Sequence, residues 1–251
     1  MIDLSGRLAL VTGGSRGIGA AIVRSLTEAG ATVSFSFRER SQTAAELIAE
    51  LKTRNLTAFA VQADISSRQE CEELIGKTIS DLGGLDILVH NAGIWTGGAI
   101  ESMTDQVWKE TMSTNLDSAF YLTQSCLPHL RDKGYGRIIY ISSTAGQQGE
   151  AGHSHYAASK GAIQSLTKSL AVELAPDAIT VNAVAPGWVL TDMVSDALSV
   201  EEMAQVDQSI PRGRMGLPEE IAGPVIFLAS DLASHITGEI LNVNGGAVLC
   251  G

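Results

Sequence analysis

The chain has no long apolar run and no excess of positive charge. No uninterrupted apolar stretch approaches the roughly 20 residues that span a bilayer, and the first residues lack the basic stretch and apolar core of a signal peptide. We therefore expect a cytoplasmic protein without a membrane partner. Lys plus Arg number 17 against 28 Asp plus Glu, a net charge of −11. Such a surface should repel nucleic acid as well as anionic membranes.

Cysteine is scarce, and metal-ligand patterns are missing. Cys71, Cys126 and Cys250 are far apart and form no Cys-x-x-Cys pair, which predicts free thiols in a reducing compartment. The five histidines have no carboxylate or cysteine partners at ligand spacing, so we predict no metal site. Linkers, repeats and low-complexity tracts are also absent. We expect residues 1–251 to form a single domain.

Short aliphatic runs alternate with longer helical patterns along the chain. The predicted strands are 8–12, 32–37, 57–62, 86–90, 136–142, 179–185 and 239–243, and the predicted helices lie near 18–29, 41–54, 67–82, 104–131, 155–175 and 218–229. Continuously apolar strands suit a parallel sheet that is covered on both faces. Repeated strand–helix units predict an α/β fold with a Rossmann-type doubly wound sheet, which binds ligands beyond the carboxyl ends of its strands.

A glycine-rich turn follows the first strand. It reads Gly13-Gly14-Ser15-Arg16-Gly17-Ile18-Gly19 and leads into helix-forming sequence. Glycines let the backbone turn tightly and approach a dinucleotide pyrophosphate, and the helix N-terminus adds amides and partial positive charge. The spacing Thr-Gly-x-x-x-Gly-x-Gly differs from the ordinary G-x-G-x-x-G fingerprint. A turn with only a structural role is the alternative.

Tyr156 and Lys160 stand four residues apart, and Ser143 precedes the tyrosine by thirteen positions. On a helix, positions i and i+4 lie on the same face, so the ammonium can sit near the phenol. A nearby cation stabilises the phenolate and lowers the tyrosine pKa from about 10 toward the useful acid–base range. Tyr-x-x-x-Lys alone is a weak signal, but the glycine turn gives it weight.

Together these motifs resemble the classical short-chain dehydrogenase/reductases over essentially the whole chain. The matching pieces are Thr12 to Gly19, Asp64-Ile65, Asn91-Ala92-Gly93, Asn115, Ser143, Tyr156 with Lys160, and Pro186 to Thr191. One departure is His90, which replaces the first asparagine of the family's Asn-Asn-Ala-Gly. The resemblance implies one domain for dinucleotide binding and catalysis, built on seven strands in the order 3-2-1-4-5-6-7 with helices on both faces.

The resemblance also implies roles for individual residues. Ser143 would donate a hydrogen bond to a substrate carbonyl, and Tyr156 would give the proton. Lys160 would hold the nicotinamide ribose and lower the pKa of Tyr156, and Asn115 would anchor a water that refills Lys160. The expected cofactor contacts are Gly13, Ser15, Arg16, Gly17, Ile18, Gly19, Arg38, Asp64, Ile65, Asn91, Ala92, Gly93, Tyr156, Lys160, Pro186, Gly187, Val189 and Thr191.

The end of the second strand predicts the cofactor. Where NAD-preferring relatives carry an aspartate, this chain has Phe37, followed by Arg38. A carboxylate would repel a 2′-phosphate, whereas a guanidinium binds it with paired hydrogen bonds. We therefore expect NADP, with Arg16 as a second cation. The alternative is that Arg38 is a solvated loop residue whose charge Glu39 cancels.

The expected reaction interconverts a ketone and a secondary alcohol. The general look, including Thr191-Asp192-Met193 after Pro186-Gly187, is similar to 3-oxoacyl-carrier-protein reductases. Alternatives are a general carbonyl reductase, a secondary-alcohol, sugar or hydroxysteroid dehydrogenase, and a non-catalytic NADP-sensing binding protein. The residues expected around the substrate are Trp95, Gln147, Gln148, His153, Trp188 and Met193, with 190–212 as a lid.

Two partners besides the small-molecule substrate are considered. Reductases of carrier-linked substrates commonly present basic residues after the catalytic lysine, but here the stretch is Ala171-Val172-Glu173-Leu174. Arg131, Lys133 and Arg137 leave one basic cluster for an acyl-carrier protein, and a CoA thioester is the other candidate. The resemblance also implies a homotetramer, paired through helices near 104–131 and 155–175 that carry small and apolar residues.

Overall fold

The computed structural model describes residues 2–249, so Cys250 lies outside the described part of the chain. Its centre is a seven-stranded sheet in which every neighbouring pair is parallel. The strands are β1 (Leu8–Val11), β2 (Thr32–Phe37), β3 (Ala58–Gln62), β4 (Ile87–His90), β5 (Gly136–Ile141), β6 (Ile179–Pro186) and β7 (Ile240–Val243). Their order is 3-2-1-4-5-6-7, which confirms the predicted fold class.

Helices cover both faces of the sheet. They are α1 (Gly17–Glu28), α2 (Ser41–Thr53), α3 (Arg68–Leu82), α4 (Asp105–Met112), α5 (Ser118–Asp132), α6 (Ala145–Gln148), α7 (Ser154–Leu174), α8 (Asp192–Ser195), α9 (Val200–Ser209) and α10 (Pro218–Ala229). The short or polar helices α6, α8 and α9 were not predicted, because none of them carries a long apolar stripe. The last two lie within the segment 190–212 that we expected to act as a lid.

The strands are continuously apolar because their alternate residues enter two different cores. Ala9 and Val11 of β1 pack into a core with α1, α2 and α10. Leu10 between them points to the opposite face and packs with residues of α3, α5 and α7. Because successive side chains of a strand point to opposite faces, a sheet covered on both sides needs apolar residues at every position.

One predicted helix, 104–131, is interrupted by a π-helical turn at residues 113–117. Asn115 lies in this turn and is fully buried. Its side-chain oxygen accepts a hydrogen bond from the Ile94 amide at 2.8 Å, and its nitrogen donates to the Ile94 carbonyl at 3.0 Å and the Ser159 hydroxyl at 3.1 Å. The asparagine therefore ties the loop after β4 to α7. Such turns are frequent at functional sites.

The basic cluster considered for carrier docking lies around the amino end of β5, the opposite edge from the strand ends that bind ligands. Each of its cations has a carboxylate partner: Arg131 with Asp177 at 2.7 Å, Lys133 with Asp86 at 3.5 Å and Arg137 with Asp231 at 3.5 Å. Arg137 is also buried. These ion pairs tie the cluster to the chain's own loops and weaken its interpretation as a docking site, which stays a prediction.

Membrane-spanning helices and metal-binding clusters are both absent from residues 2–249. No helix there is both long and apolar enough to cross a bilayer. No group of three or more histidine, cysteine or acidic side chains in that range is arranged to hold a metal ion. Cys71 and Cys126 are buried free thiols.

Candidate active site

A single cleft collects the motifs that the sequence singled out. It lies beyond the carboxyl ends of β1 to β6, and every residue that we expected to contact the cofactor lines it. Ser143 also lines the cleft, whereas Asn115 is buried behind it. Parallel strands bring their carboxyl ends to one edge of the sheet, so loops that are far apart in sequence meet there.

The glycine turn after β1 fits a phosphate group. Gly13 has φ +62°, and a Cβ built on Gly19 would lie 2.1 Å from the Gly13 carbonyl oxygen, so a side chain at either position would strain or block the turn. The Asn91 amide fixes the turn from β4 by donating to the carbonyls of Thr12 and Gly13 at 3.0 and 3.2 Å. Helix α1 begins at Gly17 without a side-chain cap or an acidic residue in its first turn. Its amides are thus available to an anion.

Three arginines border the part of the cleft near β2. Arg38 forms an ion pair with its neighbour Glu39 at 3.0 Å. This is the pair that the alternative interpretation of Arg38 assumed. Arg16 and Arg40 each approach one oxygen of Asp192 at 3.5 Å. All three guanidinium side chains are substantially exposed and line the cleft. The residues present fit a phosphate-bearing dinucleotide, because cations, bare helix amides and a glycine cradle occur together.

The loop after β3 forms a second wall. Asp64 lines the cleft and is held in place by its own neighbour, since Oδ1 accepts from the Ser66 amide at 3.0 Å and the Ser66 hydroxyl at 2.8 Å. Ile65 is buried next to it. The fixed carboxylate and the buried isoleucine beside it are suited to contact with a flat ring of a bound ligand.

Tyr156, Ser143 and Lys160 come together on the other side of the cleft. The Ser143 hydroxyl forms a hydrogen bond with the Tyr156 phenol. Ser142, its neighbour, points into the protein and donates to the Lys160 carbonyl at 3.0 Å. The thirteen-residue spacing therefore selected the serine that faces the tyrosine. Lys160 lies one turn from Tyr156 on α7, with its ammonium 5.8 Å from the centre of the phenol ring.

The pKa values of this pair are set mainly by loss of water. Removal from solvent raises the pKa of Tyr156 to about 12; the hydrogen bond from Ser143 opposes this change and the charge of Glu150 adds to it. Burial lowers the pKa of Lys160 to about 8. The ammonium donates to the Ile141 carbonyl at 2.8 Å rather than to the phenol. In the chain by itself the pKa of Tyr156 is raised on balance by burial, and the expectation that Lys160 lowers it stays a prediction.

The departure at His90 has a structural explanation. This histidine ends β4, is buried, and its Nε2 lies 2.7 Å from the Ser118 hydroxyl. Burial, and then the charge of Lys160, lowers its pKa to about 3. His90 is thus a neutral core residue beneath the cleft and does not line it.

The expected substrate residues divide into two groups. Trp95, Gln148, Trp188 and Met193 line the cleft. Gln147 turns away and donates to Asn242 at 2.6 Å, and His153 stacks behind Trp95 with ring centres 4.5 Å apart. Neither of these last two side chains lines the cleft directly, and their expected place around the substrate stays a prediction.

An aromatic wall results on the substrate side. Trp95 and Trp188 meet edge to face at 5.6 Å, and the Trp95 indole donates to Glu150 at 3.0 Å. Glu150 also lies 3.3 Å from His153, so one carboxylate anchors the two stacked rings. The wall gives the cleft an apolar face close to Tyr156.

Sequence reasoning missed three charged residues of the cleft: Arg40, Glu150 and Asp192. Arg40 had one signal, because it stands two residues after Arg38 in the sequence. Asp192 stood in the motif after Pro186-Gly187 but had no role assigned to it, and Glu150 had no signal. Their contacts join loops that only the fold brings together.

Comparisons with known proteins extend over nearly the whole chain. A family model described as enoyl-(acyl carrier protein) reductase matches residues 13–248. The 3-oxoacyl-[acyl-carrier-protein] reductase of Staphylococcus aureus is 42% identical over 238 residues, 95% of this chain and 96% of that protein. The acetoacetyl-CoA reductase of Shinella zoogloeoides is 43% identical over 241 residues, 96% and 98% of the two chains. A dehydrogenase/reductase structure from Sinorhizobium meliloti 1021 matches with a TM-score of 0.92 at 41% identity, covering 98% of this chain and 97% of that one.

Proposed function

The chain belongs to the short-chain dehydrogenase/reductase family, and from that premise we propose that it is an NADP(H)-dependent reductase of 3-oxoacyl thioesters. Family membership makes it an oxidoreductase that acts on CH–OH donors with a nicotinamide cofactor. The 3-oxoacyl substrate is proposed because one similar protein is a 3-oxoacyl-[acyl-carrier-protein] reductase and another an acetoacetyl-CoA reductase.

The observation that carries the proposal is the hydroxyl pair of Tyr156 and Ser143 in the cleft. Two adjacent O–H groups suit a carbonyl oxygen, because one donates a hydrogen bond while the other transfers a proton. A tyrosine with a pKa of about 12 is protonated at neutral pH, the state required of an acid in the reductive direction. A non-catalytic sensor would not need this pair.

The remaining residues would position the reactants. The nicotinamide cofactor supplies a hydride when it is bound. Lys160 would hold ribose hydroxyls with its ammonium, which a single carbonyl, that of Ile141, already orients. Asn115 would keep the loop after β4 in place through its paired bonds to Ile94. Pro186 to Thr191 would hold the nicotinamide amide.

We propose NADP over NAD because cations border the β2 end of the cleft and Phe37 occupies the position of a repelling carboxylate. NADPH should exceed NADH by at least about tenfold in kcat/KM, which corresponds to ~1.4 kcal/mol. The double variant Phe37→Asp with Arg38→Leu should reverse the preference. Equal use of both cofactors by the wild type would overturn this assignment.

The substrate test is a matched panel of thioesters. Acetoacetyl-CoA should be reduced at its ketone, whereas crotonyl-CoA, which has the same length and an alkene instead, should not react. Simple ketones, a steroid and glucose represent the general carbonyl reductase and the sugar or hydroxysteroid dehydrogenases. If crotonyl-CoA or glucose is turned over faster than acetoacetyl-CoA, the thioester ketoreductase proposal fails.

We further propose that residues 1–251 form one domain, that 190–212 closes over the substrate, and that the protein is a homotetramer. Trp108 of α4, Phe120 of α5 and Val172 of α7 are exposed apolar residues on the helices expected to pair. Gly161, a small residue of α7, packs against Gly146 of α6 within the same chain and so does not serve the subunit contact. Light scattering at micromolar concentration decides the matter: an active species near 26.3 kDa would exclude the tetramer.

A further inference from the structure

Asp192 is a carboxylate at a place where the proposed cofactor needs positive charge. One of its oxygens lies 3.5 Å from Arg16 of the glycine turn and 3.5 Å from Arg40 at the end of β2. Both arginines line the cleft next to Arg38. Because each nitrogen lies at the same distance from one oxygen atom, the two guanidinium nitrogens are at most twice that distance apart. A phosphate can bridge two guanidinium groups at such a separation.

The backbone around Asp192 also crosses the cleft. A Cβ built on Gly17 would touch the Thr191 methyl at 3.4 Å, so residue 191 lies against the glycine turn. Asp192 then begins α8, and Met193 after it lines the cleft while Val194 is buried in a small cluster with Ile210 and Met215. The position of the carboxylate is thus tied to the start of the segment 190–212.

We propose that Asp192 competes with the 2′-phosphate of the cofactor for Arg16 and Arg40, and so sets how strongly the protein discriminates NADP from NAD. This inference rests on the proposed NADP preference. The carboxylate carries one negative charge and a phosphate monoester close to two at neutral pH, so the phosphate displaces it from the shared guanidinium groups. A cofactor without the phosphate leaves the two ion pairs intact.

Removal of the Asp192 charge should strengthen the binding of a phosphate-bearing cofactor. Asp192→Asn keeps the size of the side chain but removes the charge, so binding of a phosphate no longer breaks two ion pairs or meets a repelling carboxylate. All three side chains are about half exposed, which keeps the effect modest because solvent screens such pairs. We expect NADP⁺ to bind about three- to tenfold more tightly to D192N, and NAD⁺ to bind within about twofold of wild type.

The test measures binding by calorimetry without substrate. The ligands are NADP⁺, NAD⁺ and adenosine 2′-monophosphate, which carries the phosphate but no nicotinamide. The matched control is Asp196→Asn, because Asp196 closes the same short helix and forms no ion pair with any residue between 2 and 249. The gain should appear for the two phosphate ligands in D192N alone, and should shrink at about 0.5 M salt, where exposed charges are screened.

Failure of this inference and failure of the proposed cofactor give different results. The ratio of NADP⁺ to NAD⁺ affinity in wild type tests the cofactor preference alone. The ratio of D192N to wild type for adenosine 2′-monophosphate tests the role of Asp192, whichever dinucleotide wild type prefers. An unchanged or weaker affinity, an equal gain for NAD⁺, or the same gain in D196N would each overturn the competition.

Discussion

Tyr135 and Tyr156 lie at opposite edges of the sheet, each beside positive charge, but only Tyr156 lines a cleft. Tyr135 precedes β5, and the guanidinium carbons of Arg7 and Arg137 lie 3.4 and 4.0 Å from its ring centre. Tyr156 has a single cation, Lys160, at 5.8 Å. Tyr135 lies at the edge where the strands begin, the amino edge. By the number of cations and their distance from the ring, its cation–π contacts are stronger than the contact of Tyr156.

The difference lies in what each hydroxyl contacts. The Tyr135 hydroxyl donates a hydrogen bond to the Ala229 carbonyl at 2.9 Å, so its proton is already engaged by the protein itself and is not offered to a ligand. The Tyr156 hydroxyl shares a hydrogen bond with Ser143 and faces the open cleft. Burial raises the pKa of both phenols. A tyrosine beside a cation therefore becomes a candidate acid only when a ligand can reach its hydroxyl.

The strongest test of this comparison exchanges each phenol for phenylalanine. Tyr156→Phe should remove nearly all turnover, since a positioned acid contributes roughly 10²- to 10⁴-fold, while NADPH binding stays within a few-fold. Tyr135→Phe should retain turnover and lose about 1 kcal/mol of unfolding free energy with its hydrogen bond. Steady-state kinetics and urea denaturation give both readouts. Retention of a tenth of wild-type turnover by Y156F would show that the assigned acid is wrong.

The second test asks what the buried cation at the cleft costs in stability. Burial lowers the pKa of folded Lys160 to about 8, well below that of a lysine in the unfolded chain. At neutral pH the side chain is charged in both states, so burial of its charge destabilises the native state. Lys160→Met should abolish turnover yet raise the unfolding free energy by about 2 kcal/mol.

The control for this test is Lys168→Met on the same helix, because Lys168 is exposed. It should change neither turnover nor stability by a measurable amount. If K160M proves less stable than wild type, the ammonium is well compensated in the native protein, and the cleft is no more costly than the amino edge.

The third test concerns His90, a buried ionisable group beneath the cleft that the proposed reaction does not use. In the unfolded chain a histidine binds a proton below about pH 6.5, whereas folded His90 stays neutral to about 3. The unfolded state therefore gains protons as the pH falls, and stability decreases. Between pH 7.5 and 5.5, wild type should lose about 1.4 kcal/mol more than His90→Asn.

Lys160, the charged group that affects the His90 pKa most, is present in both proteins and its own titration is common to them. His235→Asn is the control, because it removes an exposed histidine instead of a buried one. Parallel stability curves for wild type and H90N would mean that His90 accepts a proton in the folded state.

Much of this architecture was predictable from sequence. Continuously apolar strands and their alternation with helices predicted the sheet, and motif order predicted which loops would meet at the cleft. The break in the helix around Asn115 was not predictable, because a π-helical turn depends on one side chain bonding the distant Ile94. Local periodicity carries no information about such a contact.

Electrostatic pairing was the other part that sequence could not supply. The motif Tyr-x-x-x-Lys placed Lys160 near Tyr156 correctly, but the ammonium is directed to the Ile141 carbonyl of β5. In the same way, Arg131 and Lys133 looked available until the fold brought Asp177 and Asp86 to them. The net charge and the spacing of charged residues do not show which side chain or carbonyl each charged group will contact. The function of a charged group depends on those contacts, and only the fold determines them.

The smallest expected effect tests the amino edge directly. Because Arg131 and Lys133 are paired and lie near the start of β5, away from the cleft at the other strand ends, an acyl carrier bound there would sit far from Tyr156. Arg131→Gln and Lys133→Gln should each change kcat/KM for a carrier-linked acetoacetyl substrate by less than about twofold, and no more than for acetoacetyl-CoA. Arg54→Gln, which also loses an ion pair, with Glu28 at 2.7 Å, controls for general charge effects. A tenfold loss of kcat/KM in R131Q or K133Q that is confined to the carrier-linked substrate would show that the carrier docks at this edge. Both ends of the sheet would then take part in function.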